Sequence, residues 1–306
     1  MLRWRLILGV LFVAAFVAVC WLDSVVTRPG AFLLPAVLMV SWMAVVELLE
    51  MFNNRGRQPA AWSLYCGVLL AVLSAGVPVL WPGAVADTVT GLGWLAIGLA
   101  FGLLLAFCGE LVRYDGRWHT TINLGLAALT ILYVGGLAGF VVQLRLLNAG
   151  TANSDGRLGM LALVSLIATV KMSDIGQYAV GRLVGRHKLS PLVSPGKTWE
   201  GALGGIVLAV ITAWIAFDWG AQMLIGSNAV DSEPVAVVSF GVAVAIAGIL
   251  GDLAESMIKR DAGVKDSSTW LPGFGGVLDL LDSVLAAAPV AYLFWALGIV
   301  GPSLSR

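Results

Sequence analysis

Long, nearly unbroken apolar runs dominate the chain. Stretches of about 20 mostly apolar residues, the length a helix needs to cross a bilayer, recur near 4–22, 31–50, 60–82, 91–112, 120–141, 158–180, 200–219, 234–257 and 277–300. The pattern predicts an all-α, polytopic membrane protein of about nine helices. Its connections are short and rich in turn formers, such as Pro29-Gly30, Pro82-Gly83, the Asn148 to Gly156 stretch and Pro272-Gly273. They leave no room for a separate soluble domain. The organisation expected is an N-terminal group of about five helices over 1–150 and a C-terminal region over 151–306 that carries the chemistry.

Composition agrees with the pattern. Of 306 residues, 59% are hydrophobic and 12% charged, against about 25% charged in a soluble domain, so the chain cannot cover itself with a polar surface. Cys20, Cys66 and Cys108 are odd in number, far apart and set in apolar runs, which fits neither a disulfide framework nor a zinc site. At the N-terminus Arg3 and Arg5 precede an apolar run from Leu6 to Trp21 that looks like a signal peptide. Because further spanning runs follow, it is expected to stay as a first helix.

A net charge of +0 says little, since sidedness matters more than the sum. Placing the N-terminus in the cytoplasm puts thirteen of the eighteen Lys and Arg residues inside, among them Arg55, Arg113, Lys188 and Lys265, and leaves Arg28, Arg145, Arg157 and Arg306 outside, with Lys171 within a helix. That asymmetry is what the positive-inside rule requires. The first five runs hold few ionisable residues away from their ends. Glu47, Glu50 and Glu110 are the exceptions, and Glu50 and Glu110 are assigned to the cytoplasmic interface.

The last four runs differ. Lys171, Asp174, Asp252, Glu255, Asp279 and Asp282 lie inside or at the ends of apolar segments, where an ionisable group is costly and marks function by default. Asp252, Glu255, Ser256 and Lys259 fall at spacings of three, four and seven, on one helical face. Asp279 and Asp282 are three apart, one turn into a helix that starts after Gly275-Gly276, and two carboxylates so placed can share a divalent cation. Lys171, Asp174 and Tyr178 share another face. Pairing of Lys171 with Asp174 and of Lys259 with Glu255 would explain each pair alone, but not four carboxylates and several cations gathered toward one side.

Two loops supply the other half of a phosphate site. Residues 181–201 and 259–276 combine Lys and Arg with Gly and hydroxyl residues, which together offer charge, hydroxyl donors and closely approaching backbone to several phosphate oxygens. Ser194-Pro195-Gly196-Lys197-Thr198 suggests a P-loop, but Pro191 stands where the fingerprint needs its first glycine, and the fingerprint also needs a strand ahead of it, which is not expected here. Gly201, Gly204 and Gly205 are expected to allow close helix packing. His187 is read as an interfacial polar residue rather than a metal ligand, and His119 lacks a partner at ligand spacing.

At these loops the sequence resembles the CDP-diacylglycerol synthases, also called phosphatidate cytidylyltransferases. Ser256, Lys259, Arg260, Lys265, Asp266, Pro272, Gly273, Gly275, Gly276, Asp279 and Asp282 stand at the places of that family's signature, and Ser173 to Arg182 and Ser194 to Gly201 resemble two further family stretches. The match runs over about residues 171–283. Phe274 replaces the signature histidine and Leu280 the arginine after the first aspartate.

The resemblance implies attack by a lipid phosphate oxygen on the α-phosphorus of CTP, with pyrophosphate leaving. It implies magnesium held by Asp252, Asp279 and Asp282, with a second, monovalent cation allowed, and a catalytic set of Asp252, Lys259, Asp279 and Asp282. Asp174, Ser194, Lys197, Thr198, Ser256, Arg260, Lys265, Asp266, Gly275 and Gly276 are then expected to bind the nucleotide and its phosphates. The partners are CTP and phosphatidate in a cell membrane, reached from the cytoplasmic side, with no nucleic acid and with a homodimer allowed. A CTP-dependent lipid kinase, or transfer to another lipid phosphate such as an isoprenoid ether lipid, would share these features. A transporter should show paired inverted repeats, and residues 1–150 hold no second copy of the charged segments.

Overall fold

All nine apolar runs carry helix, because a backbone in hydrocarbon must satisfy its own N–H and C=O groups. The structure, a computed structural model, describes the chain apart from residues 1, 27, 82–88, 117–118, 148–155, 227–232, 269, 271–274 and 302–306, and apart from the side chains of 2–8. The Pro82-Gly83 and Pro272-Gly273 turns, most of the 148–156 connection and Phe274 therefore lie outside the described residues.

The order is α1 (Leu2–Val25), α2 (Leu33–Asn54), α3 (Ala61–Ala75), α4 (Val77–Leu80) and α5 (Gly91–Val112). It continues with α6 (Thr120–Arg145) and α7 (Arg157–Val184), strands β1 (Lys188–Ser190) and β2 (Ser194–Thr198), then α8 (Trp199–Leu224), α9 (Pro234–Ala262) and α10 (Val277–Ala296). Wider π turns interrupt α6 at Ile131–Gly136 and α8 at Ala216–Gly220. The protein is a polytopic membrane protein built mainly of helices, with one short hairpin. Seven helices, α2 and α5 to α10, are long and apolar enough to cross a membrane, while α1, over Gly9–Val25, and α3 are shorter apolar helices.

The chain forms two compact units. The first comprises Met1–Leu146 with Lys259–Leu280, and the second Leu147–Ile258 with Leu281–Arg306. The segment Lys259–Leu280 thus belongs with the N-terminal helices.

In the first unit α3 and α5 approach closely at Gly102, where a Cβ would lie 3.1 Å from the Gly67 carbonyl oxygen. Buried carboxylates then serve helix starts, whose first N–H groups have no partners inside the helix. Asp23 accepts the N–H groups of Gly30, Phe32 and Leu33 at 3.0, 2.8 and 3.2 Å ahead of and into α2, and pairs with Arg145 Nε at 2.6 Å. Glu110 accepts Ala60 N–H at 2.8 Å at the start of α3 and the Asn123 amide at 3.3 Å. Glu47 does the same for α10, as described below. Glu110 is buried, whereas Glu50 is exposed.

In the second unit α7 and α8 meet through the expected glycines: a Cβ on Gly176 would stand 2.8 Å from the Gly204 oxygen, and one on Gly205 would stand 2.9 Å from the Ser173 oxygen. Ring contacts Phe217–Phe240 at 5.2 Å and Phe217–Trp295 at 5.3 Å fill its core. Strands β1 and β2 form an antiparallel hairpin, with Lys188 opposite Thr198 and Ser190 opposite Ser194. Glu200 closes its base, accepting the N–H groups of Arg186 and His187 at 3.1 and 3.2 Å and facing His187 Nδ1 at 2.6 Å.

Candidate functional site

The first unit organises a cation around one carboxylate. Asp279 is the third residue of α10, and its Oδ1 pairs with Lys259 Nζ from the end of α9. Its Oδ2 accepts the N–H groups of Gly276 and Ser267 at 2.8 and 2.9 Å and faces the Ser267 hydroxyl at 2.7 Å. Accepting the N–H just ahead of the helix is the acidic half of a capping box. Gly275, at φ +91°, lets the chain turn over Asp279 where a Cβ would collide with that carboxylate. Arg260, Lys265 and Asp266 are exposed around this turn.

Behind the turn stands Glu47 of α2, with 0% exposure. Its carboxylate accepts Val277 N–H at 2.7 Å, Leu278 N–H at 2.9 Å and the Ser267 hydroxyl at 2.8 Å.

The second unit holds its own charged cluster. Lys197 Nζ, brought by β2, lies 2.7 Å from Asp252 Oδ2 of α9, and Ser256 Oγ lies 3.3 Å from the other Asp252 oxygen. Lys171 Nζ lies 3.4 Å from Asp174 Oδ2 on α7. Asp282, only 5% exposed, meets the Ser283 hydroxyl at 3.1 Å and is within electrostatic reach of Asp252, Lys171 and Asp174. Thr198 is engaged at the start of α8, where its side-chain oxygen accepts Gly201 N–H at 3.1 Å. Ser194 is half-buried at the start of β2.

Among the described residues no three His, Cys, Asp or Glu side chains are gathered as an ion's ligands. The donor chemistry of the second cluster still suits a hard divalent cation, which takes carboxylate oxygens. Lys171 and Lys197 supply the positive charge beside those carboxylates here. Asp279, grouped from sequence with Asp252 and Asp282, has both oxygens taken by Lys259, Ser267 and Gly276. Serving as a metal ligand would require it to exchange those contacts.

Several of these features are not evident from sequence. The hairpin replaces what reads as an irregular loop, and Ser194–Thr198 is itself a strand. Lys259 pairs with Asp279, twenty residues on and at the start of the next helix. Asp279 and Asp282, although three apart on one helix, take different partners. Glu47 and Ser267 go unassigned in the motifs. The available signal for Glu47 is a glutamate set in from the end of α2 among apolar residues, where burial demands donors.

A model of the cytidylyltransferase family matches residues 3–297. A phosphatidate cytidylyltransferase of Synechocystis sp. is 29% identical over 305 aligned residues, covering 92% of this chain and 94% of that protein. That of Pseudomonas aeruginosa is 36% identical over 206 residues, 67% of this chain and 68% of the relative. That of Haemophilus influenzae is 42% identical over 137 residues, so that match spans about half of each chain, 45% and 46%.

Proposed function

The chain belongs to the cytidylyltransferase family, and from that membership and its two charged clusters we propose that it transfers the cytidylyl group of CTP to phosphatidate. An oxygen of the lipid phosphate attacks the α-phosphorus of CTP. The bond from that phosphorus to the bridging oxygen of the β-phosphate breaks, leaving CDP-diacylglycerol and pyrophosphate. The attacking oxygen is already anionic, so the task is to position two anions and neutralise the charge between them.

The observation that carries this reading is the Lys259–Asp279 pair, set where the family signature falls, with exposed Arg260 and Lys265 on the same segment of chain. A lysine held by a carboxylate is a fixed point charge that suits phosphate oxygens. Lys197 offers the same chemistry in the second unit. Gly275 and Gly276 let the backbone fold closely over the pair, Ser256 and Asp174 belong to the second cluster, and Ser194 stays in the set proposed to bind the nucleotide.

Magnesium, when bound, would neutralise charge on the nucleotide phosphates. Asp252 and Asp282 are the residues to hold it, with Asp174 beside them and a monovalent ion as a further occupant. Asp279 acts in this reading by holding Lys259. In this reading the reaction runs at the cytoplasmic face of a cell membrane, which a soluble nucleotide and the positive-inside distribution support, with the chain acting alone or as a homodimer.

Pyrophosphate release from the purified protein tests the proposal. It is expected only when CTP, phosphatidate and magnesium are all present, one pyrophosphate for each lipid consumed. Equal release without phosphatidate, or with an isoprenoid ether lipid phosphate preferred, would contradict it.

A further inference from the structure

Glu47 lies mid-helix among apolar residues, fully buried, and no step of the proposed reaction uses it. Its three donors come from the segment that holds Lys259 in place: the N–H groups of Val277 and Leu278 open α10, and the Ser267 hydroxyl lies on the preceding turn. Those N–H groups have no partner inside the helix and, being buried, need one from elsewhere in the protein.

The Ser267 hydroxyl stands 2.8 Å from Glu47 Oε2 and 2.7 Å from Asp279 Oδ2. One hydroxyl carries one hydrogen, so the two carboxylates share it and the place of Ser267 is set by both. Gly276 gives independent testimony, since a Cβ there would collide with both Ser267 Oγ and Glu47 Oε2. The chain has no side chain where Glu47 reaches in.

We infer that Glu47 is a positioning residue for nucleotidyl transfer: through Ser267 and the first turn of α10 it sets Asp279, and through Asp279 the Lys259 ammonium. The inference rests on the proposed function. Glu47 touches no reacting atom, so its effect is expected in turnover, with binding of the lipid little altered. A residue that only held helices together would instead change the amount of folded protein.

The test compares Glu47→Gln, Ser267→Ala and the double variant, each purified with its bound lipid and judged by melting temperature, kcat and KM. An amide keeps the volume but presents N–H where α10 presents N–H. Each single change should lower kcat about 10- to 100-fold, the range seen when the outer partners of reacting groups are removed at metal sites, with KM for phosphatidate changed less than about threefold. The double variant should be no slower than the slower single one, because two residues acting through one path are not additive.

Losses that multiply, or a normal kcat in a less stable protein, would overturn the inference. Should Glu47→Gln yield no folded protein, Ser267→Ala, which leaves both α10 N–H bonds intact, decides alone: lower kcat at an unchanged melting temperature supports the inference and normal kcat overturns it. Asp279→Asn separates the two claims. If that variant turns over normally, the proposed function of the cluster is wrong; if it is dead while Glu47→Gln is normal, only this inference is.

Discussion

Lys259 and Asp279 pair across the gap between the last turn of one helix and the first turn of the next, and the same aspartate closes the N-terminus of its own helix. One carboxylate therefore fixes both a cation and the backbone that brings it. Asparagine cannot do both, since its single oxygen accepts while its amide nitrogen would face the N–H groups of Ser267 and Gly276 or the ammonium. Asp279→Asn should reduce cytidylyl transfer at least about a hundredfold, the scale of losing one strong electrostatic group. Melting temperature and turnover measured on one sample check this, and a destabilised protein with normal turnover would refute the role.

The second cluster predicts a metal effect. Asp252→Asn removes a hard anionic oxygen from the set facing Lys197, so half-maximal activity should need about tenfold more magnesium, on the scale of weakened carboxylate coordination. A magnesium titration of both proteins reads the shift directly. An unchanged titration curve would show that the carboxylate serves Lys197 alone.

Helix packing gives a prediction free of catalysis. A methyl on Gly205 must displace the Ser173 backbone and the Gln177 side chain, whereas one on Gly196 meets nothing within 4 Å. Gly205→Ala should cost about 1–3 kcal/mol through overpacking, seen as a lower melting temperature. Gly196→Ala should leave it unchanged.

Orientation is open to direct labelling. In a background lacking Cys20, Cys66 and Cys108, cysteines placed at Lys188 and Lys265 should resist an impermeant reagent in intact cells and react once the membrane is opened. Labelling from outside would reverse the expected topology and separate these loops from soluble nucleotide.

How far the sequence could be read follows from the physics of each feature. The apolar runs are legible because hydrocarbon leaves the backbone one local solution, and all of them are helical. Asp252, Lys259, Asp279 and Asp282 stand out because charge is costly within such runs. Their partners do not, since a partner is a property of helix ends brought together from far along the chain. Glu47 meets Leu278 across 231 residues, and no periodicity records that. Arg145 counts from sequence only as one of four outside cations, yet it forms a buried pair with Asp23 at 2.6 Å. The hairpin escaped because two short strands closed by Glu200 and His187 have no apolar alternation to announce them.

The central claim is transfer of the cytidylyl group, and the fate of a radioactive phosphate tests it most directly. The purified protein is given phosphatidate, magnesium and CTP labelled at either the α- or the γ-phosphate. Cytidylyl transfer predicts that label from the α-position enters the lipid while label from the γ-position leaves as pyrophosphate. Lipid labelled only from the γ-position would make the protein a lipid kinase and contradict the account.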